Sequence, residues 1–282
     1  GEDYYTRDSY PGDDYSGHGT HVSGIIGASV NDNGIAGAAF GAQIMPVRVM
    51  YSIYDDLGNI TGTGSLSDIV DGIDYAVEQG ADIINLSLGS AQSMGAQSDL
   101  LFLQAVQDAV NQGVLVLAAA GNDSINIDDY GSVPSSFSET MTVSSVSNTG
   151  SFSSFSSFGE SVDVAAFGGE EEFNNCTESS GVYSTYKNSD ASYASLCGTS
   201  MATPYVAGLA ALIKGYYKDN FSQTLTPAEI RRLINSSASR SSSDTSIFYG
   251  NGIIDAKNAF FMAGVSSFND ATSSEFVMGS GG

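Results

Sequence analysis

Gly198-Thr199-Ser200-Met201-Ala202-Thr203-Pro204 places a serine among small residues at the point where an apolar helical pattern begins. Apolar residues then recur with the spacing i, i+3, i+4, i+7, at Val206, Leu209, Ala210 and Ile213. This spacing predicts a helix over about 200–216, with Pro204 in the first turn, where its missing N–H is harmless. Ser200 would then lie at the positive end of the helix, where developing negative charge is stabilised. A serine here is also a common helix cap, so Ser200 alone does not establish a nucleophile.

The chain has only two histidines, and both lie in Gly17-His18-Gly19-Thr20-His21-Val22-Ser23-Gly24. Histidine is the usual general base for a serine hydroxyl, and flanking glycines let a substrate approach closely. His18 is therefore the candidate base. His21 lies inside the apolar run and is expected to be buried and hydrogen-bonded. The His-x-x-His spacing lacks the glutamate and the i, i+4 separation of the zinc hydrolase motif.

A third segment, Val114-Leu115-Val116-Leu117-Ala118-Ala119-Ala120-Gly121-Asn122-Asp123, reads as a buried strand that ends at Gly-Asn. An asparagine amide at a strand end can donate a hydrogen bond to an oxyanion. Gly-Asn is also a common turn sequence, and in isolation the turn is the preferred interpretation.

In composition, order and separation, the three segments together resemble the subtilisin-like serine proteases, or subtilases. His18-Gly19-Thr20-His21-Val22 is similar to the histidine motif of that family, and Gly198–Ala202 to its serine motif. Ala119–Asn122 is similar to its oxyanion-hole segment. The resemblance implies that Ser200 is the nucleophile, His18 the general base and Asn122 an oxyanion donor, whereas His21 is structural.

One part of the family pattern is absent. The catalytic acid of subtilases lies in a strand-end Asp-Ser/Thr-Gly motif about thirty residues before the histidine, and only seventeen residues precede His18. Asp8-Ser9-Tyr10 imitates this motif poorly, and Asp13 and Asp14 are expected on the loop that enters the histidine helix. No acid is assigned. Since the strand that carries the acid lies centrally in the family's sheet, its loss predicts unpaired edges on two neighbouring strands, and truncation is the preferred explanation.

Strand and helix patterns alternate along the chain, which predicts one doubly wound, mostly parallel α/β domain over residues 1–262 with its N-terminal central strand missing. A Ser- and Gly-rich extension or linker is expected over 263–282. The predicted strands are Gln43–Met50, Ala81–Leu88, Val114–Ala120, Met141–Val146 and Ser161–Ala166. Helices are predicted over Ser65–Gln79, Asp99–Gln112 and Pro227–Ser237, the last introduced by Thr226.

Nine Lys and Arg against 32 Asp and Glu give a formal charge of −23, which disfavours nucleic acid and anionic membrane surfaces as partners. A peptide or protein substrate and a monomeric state are expected. Ser29–Gly37 resembles the calcium loop of subtilases, with a plain polar turn as the alternative. The resemblance implies a structural calcium ion bound by the Asn31 side chain and by carbonyl groups of Ser29, Asn33 and Ile35.

The two cysteines, Cys176 and Cys197, flank a polar segment and are predicted to form a disulfide worth about 3 kcal/mol of stability. A disulfide fits an extracellular, secreted protein, although no signal peptide is visible. Cys197 lies three residues before Ser200, but Ser200 and not Cys197 holds the serine-motif position.

By resemblance, two extended segments hold a substrate peptide as an added β-strand, and a third segment lines the primary pocket. Their residues are Gly62, Thr63 and Gly64; Ser87, Leu88 and Gly89; and Ala119, Ala120 and Gly121. Small pocket walls favour apolar or aromatic substrate residues. The sequence thus predicts a secreted serine endopeptidase. A pseudoprotease that binds peptide without cutting it is the alternative, and a nonenzymatic adhesion domain rests only on the acidic surface.

Overall fold

The computed structural model of the chain describes residues 1–4, 14, 16–54, 60–170, 176–187, 189, 192–239 and 246–264. The strands are β1 (Glu2–Asp3), β2 (Val47–Arg48), β3 (Tyr51–Tyr54), β4 (Ile60–Thr63), β5 (Ile83–Leu86), β6 (Leu115–Ala119), β7 (Met141–Val146), β8 (Val162–Phe167), β9 (Val182–Thr185) and β10 (Tyr193–Leu196). The helices are α1 (His18–Gly27), α2 (Leu66–Glu78), α3 (Ala96–Asn111), α4 (Ile127–Tyr130), α5 (Thr199–Phe221), α6 (Pro227–Ser237), α7 (Ser246–Tyr249) and α8 (Ala256–Met262).

Four parallel strands form the main sheet, in the order β5-β6-β7-β8. Every residue of β6 and of β7 is buried, as expected of strands that are covered by helices on both faces. The predicted α/β class with a parallel sheet flanked by helices is therefore confirmed.

The helices form two layers because successive side chains of a strand point to opposite faces of the sheet. Leu115 and Leu117 pack with α5, α6 and α8 on one face. Val114 and Val116 pack with α2 and α3 on the other face. The buried apolar stripe of α5 holds the serine-bearing end of that helix against the sheet.

Most predicted boundaries agree with the structure within a few residues, and Met141–Val146 and Pro227–Ser237 agree fully. Helix α6 begins with a capping box in which Thr226 and Glu229 satisfy each other's backbone N–H groups. Helix α5 ends at Phe221 and is longer than predicted, because Tyr217 and Phe221 extend its aromatic contacts.

The predicted strand over Gln43–Met50 is wrong in extent, since only Val47–Arg48 is a strand. It pairs in parallel with β1, and the chain then enters the β3–β4 hairpin. A buried ion pair, in which Arg48 Nη1 lies 2.8 Å from Asp3 Oδ2, joins β1 to β2. Backbone pairing and this ion pair therefore both join β2 to β1.

Strands β2 and β5 belong to two separate sheets. Within the described residues, β2 pairs with β1 and β5 pairs with β6, and no strand joins the two pairs. Both β2 and β5 line one cleft of about 2570 Å³, which also reaches His18 and Ser200. Residues of β2 and β5 thus line the same open volume.

The chain beyond Gly264 lies outside the described residues, so the extension predicted over 263–282 is almost wholly outside them as well. None of the helices in the described ranges combines the length and the apolar character that crossing a bilayer requires.

Candidate active site

Ser200 lies in the first turn of α5, directly after a glycine that shapes the approach to the helix. Gly198 has φ 153° and ψ 159°, a conformation that is essentially restricted to glycine. Its N–H donates to the Gly168 carbonyl at 2.8 Å, which ties the helix start to the end of β8. The first N–H groups of a helix have no intrahelical acceptor, so the Ser200 N–H is oriented to bind an anion.

A pair of hydrogen bonds connects Ser200 to the end of β5. The Ser87 hydroxyl donates to the Ser200 carbonyl at 2.9 Å, and the Ser200 hydroxyl donates to the Ser87 carbonyl at 3.4 Å. Asn85 Nδ2 donates to Ser87 Oγ at 2.9 Å. The Ser87 end of this contact is thereby fixed, next to the point where Ser200 lines the cleft.

Thr199 fixes the orientation of the Asn122 side-chain amide. Asn122 Oδ1 accepts hydrogen bonds from the Thr199 N–H at 2.9 Å and from the Thr199 hydroxyl at 3.0 Å. Since an amide nitrogen could not accept either bond, Nδ2 must be the end of the amide that is left for other partners. Thr199 Oγ1 in turn accepts from the Gly121 N–H at 3.1 Å. The amide donor is thus available next to the first turn of α5.

His18 begins α1, which packs directly against α5. Its imidazole is half-buried and lines the same cleft as Ser200. Burial lowers the pKa of the His18 imidazole below its usual value, and the Asp14 carboxylate acts in the opposite direction. A largely neutral imidazole at neutral pH is the form that can accept a proton from a serine hydroxyl.

The Asp14 carboxylate receives four hydrogen bonds from the start of α1. Oδ1 accepts from the Gly17 N–H at 2.8 Å and from the Ser16 hydroxyl at 3.1 Å. Oδ2 accepts from the Thr20 N–H at 2.7 Å and from the Thr20 hydroxyl at 2.8 Å. Burial alone would raise the pKa of the Asp14 carboxyl, but these hydrogen bonds outweigh it and the pKa lies below its usual value. Asp14 is therefore ionised at neutral pH.

The described residues provide no carboxylate that is hydrogen-bonded to the His18 ring. Of the hydrogen bonds within the described part of the chain, none joins a carboxylate to the His18 ring. Asp8 and Asp13 lie outside the described residues. Asp14, which was expected on the loop entering the histidine helix, does lie there, but its carboxylate oxygens are engaged elsewhere.

His21 is fully buried, as expected, and is held between the strands of the β9–β10 hairpin. Its Nε2 lies 3.0 Å from the Val182 carbonyl and 3.1 Å from the Ala194 carbonyl. Carbonyl groups only accept, so Nε2 carries the proton in the neutral ring. The buried Nδ1 has no hydrogen-bond partner, which matches an unprotonated nitrogen. The histidine thus anchors the helix that carries His18 to this hairpin.

Cys176 and Cys197 form a disulfide with an S–S distance of 2.11 Å and Cα atoms 5.7 Å apart, as predicted. Cys197 is fully buried and directly precedes Gly198. The disulfide joins the two ends of the segment that contains β9 and β10, so it stabilises the hairpin that contacts α1.

Most residues expected to bind substrate line the large cleft together with His18, Asn122 and Ser200. They are Gly62, Ser87, Leu88, Gly89, Ala119, Ala120 and Gly121. Thr63 and Gly64 are not among the lining residues, and a Cβ at Gly64 would lie 2.6 Å from the Met50 sulfur and from the Val49 carbonyl oxygen. Gly64 is therefore needed for close packing of the hairpin against residues 49–50.

The expected calcium loop is exposed from Ser29 to Gly34. Asn31 Oδ1 accepts a hydrogen bond from the Asn33 N–H at 3.2 Å, so the proposed side-chain ligand closes a local turn. The side chain of Asn31 and the carbonyls of Ser29, Asn33 and Ile35 offer four oxygens, fewer than the six to eight that calcium takes. Within the described residues no group of three or more His, Cys, Asp or Glu could hold a metal ion. The loop alone is therefore not a complete calcium site.

Sequence reasoning missed the contributions of Thr199 and Asp14 and the side-chain role of Ser87. Thr199 lies within the quoted serine motif, and its position beside Ser200 was a usable signal. Capping patterns place the side-chain acceptor at the N-cap position, which is Gly17 in α1. Asp14 lies three residues before it, so no standard capping pattern identifies its role.

Comparison with known proteins gives one family and several relatives. The model of the subtilase family (Peptidase_S8) matches residues 1–253. Thermitase of Thermoactinomyces vulgaris is 38% identical over 260 residues, covering 92% of this chain and 80% of thermitase. The major intracellular serine protease of Bacillus subtilis (strain 168) is 38% identical over 219 residues. That match covers 77% of this chain, and it spans 61% of the length of the relative.

Solved structures agree with this result. A protease from Pseudoalteromonas arctica PAMC 21717 superposes with a TM-score of 0.71 at 36% identity, covering 87% of this chain and 70% of that one. A cold-adapted subtilisin-like serine proteinase superposes with a TM-score of 0.67 at 33% identity, covering 90% of this chain and 78% of that one.

Proposed function

Because the chain belongs to the subtilase family, the family of the subtilisin-like serine endopeptidases, we propose that Ser200 is its nucleophile, His18 its general base and Asn122 an oxyanion donor. The observation that carries this proposal is the pair of hydrogen bonds from Thr199 to Asn122 Oδ1. They leave the amide N–H₂ group as the free end, beside the start of the helix that presents Ser200. Hydrogen-bond donors that are already oriented at this position stabilise the negative charge that develops on the carbonyl oxygen during acyl transfer.

In the proposed reaction, His18 takes the proton of the Ser200 hydroxyl as the oxygen attacks a peptide carbonyl. The oxyanion accepts hydrogen bonds from Asn122 Nδ2 and from the Ser200 N–H. His18 then gives its proton to the leaving amine, and water hydrolyses the acyl-enzyme by the reverse sequence. For the first proton transfer, the Ser200 hydroxyl must break its hydrogen bond to the Ser87 carbonyl and turn toward His18.

The acid that orients His18 is proposed to lie on a β-strand between β2 and β5. Both strands line the cleft, and no described strand pairs with both of them. A strand inserted there could hydrogen-bond to each of them. Asn85 lines the same cleft and has a buried Oδ1 without a hydrogen-bond partner. A backbone N–H of such a strand is the kind of donor that this atom lacks.

A pseudoprotease is the second candidate function. The observation in its favour is that the His18 ring donates no hydrogen bond to a described carboxylate. In the serine-protease triad the acid holds the histidine in its productive tautomer, and its loss lowers turnover by about 10⁴. A chain in which no carboxylate holds His18 is expected to hydrolyse peptides slowly for this reason.

A serine-directed fluorophosphonate probe tests the proposed nucleophile. Mass spectrometry of the labelled chain should place the adduct on Ser200, and Ser200→Ala should abolish labelling, whereas Ser138→Ala, which changes an exposed hydroxyl outside the cleft, should not. An adduct on another serine or on a cysteine would remove Ser200 from the nucleophile role.

A second experiment separates the two candidate functions. The gene is sequenced upstream of Gly1, and peptide hydrolysis is measured for the 282-residue chain and for the complete gene product. If the upstream sequence supplies an apolar strand that ends in Asp-Ser/Thr-Gly and restores turnover, the endopeptidase is supported. If no upstream sequence restores turnover although peptide still binds, the pseudoprotease is supported.

The proposed function includes secretion, a mode of substrate binding and an oligomeric state. Secretion is supported by the disulfide, which persists in oxidising compartments. Substrate peptides are proposed to pair with residues 62–64 and 87–89. The small residues Ala119–Gly121 are proposed to line the primary pocket, which would favour apolar or aromatic substrate side chains. The protein is proposed to act as a monomer on peptide or protein substrates, without nucleic acid or membrane partners.

Calcium binding at the loop over 29–35 is proposed to require further oxygen ligands from another segment. Thermal unfolding in calcium and in a chelator tests it. A calcium-dependent rise in melting temperature that disappears in Asn31→Ala supports the site, and an equal melting temperature in both buffers excludes it.

A further inference from the structure

We propose that Asp14 is a positioning residue for His18: its carboxylate locks the first turn of α1 and places a fixed negative charge beside the imidazole. The inference rests on the proposed role of His18 as the general base. It adds a residue that does not touch substrate and that acts through the histidine.

The first step is the geometry of the helix start. Gly17 occupies the N-cap position in a left-handed conformation, with φ 83°, and has no side chain to cap the helix. The backbone N–H groups of the first turn donate instead to side chains of residues that precede the helix. Asp14 accepts from the N–H groups of Gly17 and Thr20, and the Ser16 hydroxyl accepts from the His18 N–H at 3.0 Å. The residues on both sides of His18 are therefore held by one carboxylate.

The second step is the packing around this turn. The Tyr186 hydroxyl donates to the Ser16 carbonyl at 2.8 Å, and a Cβ at Gly17 would lie 2.4 Å from the Tyr186 ring. The Thr185 hydroxyl donates to the Thr20 carbonyl at 2.9 Å. The turn thus lies between the Asp14 carboxylate and the end of β9, which limits the positions that the His18 backbone can take.

The third step is electrostatic. Burial lowers the pKa of the His18 imidazole, and the Asp14 carboxylate raises it against this effect. His18 and His21 also interact through their charges. His21 lies one turn along α1, and its own pKa is lowered chiefly by burial. Tyr186 is neutral, since burial and Asp14 raise its pKa, and Lys187 lies over its ring. A carboxylate beside His18 also stabilises the imidazolium that forms during acyl transfer.

Asp14 differs from a triad acid in what its oxygens contact. An ionised carboxylate has about four lone-pair sites, and four donors from Ser16, Gly17 and Thr20 occupy them. Asp14 therefore acts on His18 through charge and through the helix backbone, and the Nδ1–H of His18 is left to donate to another group.

The test uses the fact that the chain has only two histidines. With the imidazole rings labelled with ¹³C, NMR titration of the full chain gives the pKa of His18 and of His21 separately. Asp14→Asn should lower the pKa of His18 and leave the pKa of His21 almost unchanged. Thr20→Val removes one hydrogen bond from Asp14 but keeps its charge, so the pKa of His18 should stay near that of the parent chain.

Fluorophosphonate labelling of Ser200 provides a second readout. We expect Ser200 in Asp14→Asn to be labelled at least tenfold more slowly than in the parent chain. The midpoint of the pH dependence of the labelling rate should fall together with the pKa of His18. An unchanged His18 pKa in Asp14→Asn, or equal shifts of both histidines, would overturn the proposal. If Ser200 is not labelled even in the parent chain, the proposed function fails while the NMR result still decides the role of Asp14.

Asp14→Glu covers the case in which Asp14→Asn does not fold. The glutamate keeps the charge but cannot reach the same four donors from a longer side chain. We expect a pKa of His18 near that of the parent chain together with slower labelling. Parent-like labelling would show that the geometry of the carboxylate is not required, and it would overturn the positioning role.

Discussion

The hydroxyl of Ser87 donates to the carbonyl of Ser200 at 2.9 Å, while the hydroxyl of Ser200 points back to the carbonyl of Ser87 at 3.4 Å. The two residues lie on different elements, the end of β5 and the start of α5. This reciprocal contact joins the main sheet to the serine-bearing helix at the cleft. It also makes the side chain of Ser87 part of the support for the proposed nucleophile.

Ser87→Ala should lower kcat by about fivefold with little change in KM, because the loss of one hydrogen bond of about 1 kcal/mol loosens the Ser200 backbone. Steady-state hydrolysis of a peptide substrate by the complete gene product measures this. Ser138→Ala, which removes an exposed hydroxyl outside the cleft, is the matched control. A change confined to KM would indicate a role in substrate binding only.

Asn122→Ala should lower turnover by about 10²–10³ with a nearly unchanged KM, because the amide is used only when the oxyanion forms. Thr199→Val, which leaves the amide in place but removes one of the bonds that orient it, should give a smaller loss in the same direction. Single-turnover acylation rates distinguish the two variants. A parent-like rate for Asn122→Ala would remove Asn122 from the oxyanion role.

Loss of the disulfide between Cys176 and Cys197 should destabilise the chain by about 3 kcal/mol, because the loop that it closes gains freedom in the unfolded state. Urea unfolding with and without a reductant measures the change. The double variant Cys176→Ser/Cys197→Ser is the control, and a reductant should not shift its midpoint. Equal stability of the oxidised and reduced parent chain would contradict the expected contribution.

The stability of the chain should fall as the pH drops from about 6.5 toward 4, because His21 is buried in its neutral form. Burial lowers the pKa of His21 from 6.5 to about 4 in the folded state. Between these values the unfolded chain binds a proton that the folded chain does not, so acidification favours unfolding. The full difference corresponds to about 3 kcal/mol.

Urea midpoints measured from pH 4 to pH 8 test this expectation. His21→Gln, whose amide keeps a donor for the two carbonyls but does not titrate, should show a smaller loss of stability over the same range. His18 adds to the effect in both proteins, since its pKa is also lowered by burial. Identical pH profiles for the parent and His21→Gln would show that His21 does not control the acid sensitivity.

Asp163→Ala should destabilise the fold by about 3 kcal/mol, because Asp163 is buried and its carboxylate joins three elements. It accepts from the Thr142 N–H at 2.8 Å, from Arg231 at 2.7 and 2.9 Å and from Asn235 Nδ2 at 3.0 Å. The control is Asp82→Ala, whose ion pair with Lys214 involves a carboxylate that is 71% exposed. That change should cost less than about 1 kcal/mol, as exposed pairs do. Comparable losses in the two variants would refute the structural role of Asp163.

The sequence alone determined the fold class, most element positions and three candidate site residues. Periodicity is a local property, so the apolar stripe of α5 and the buried run of β6 can be read without a partner. The motifs around His18, Asn122 and Ser200 are also local, and their order along the chain carries the family resemblance. The extent of β2 was predicted less well, because strand length depends on the neighbours with which a strand pairs.

Only the tertiary structure decided how these residues act on one another. Hydrogen bonds between distant segments, such as those from Thr199 to Asn122 and from Ser87 to Ser200, have no signature in either segment by itself. The same holds for the four donors on Asp14 and for the open cleft between β2 and β5. Orientation of an amide, occupancy of a carboxylate and pairing of a sheet edge depend on chain folding in three dimensions, so no sequence pattern fixes them.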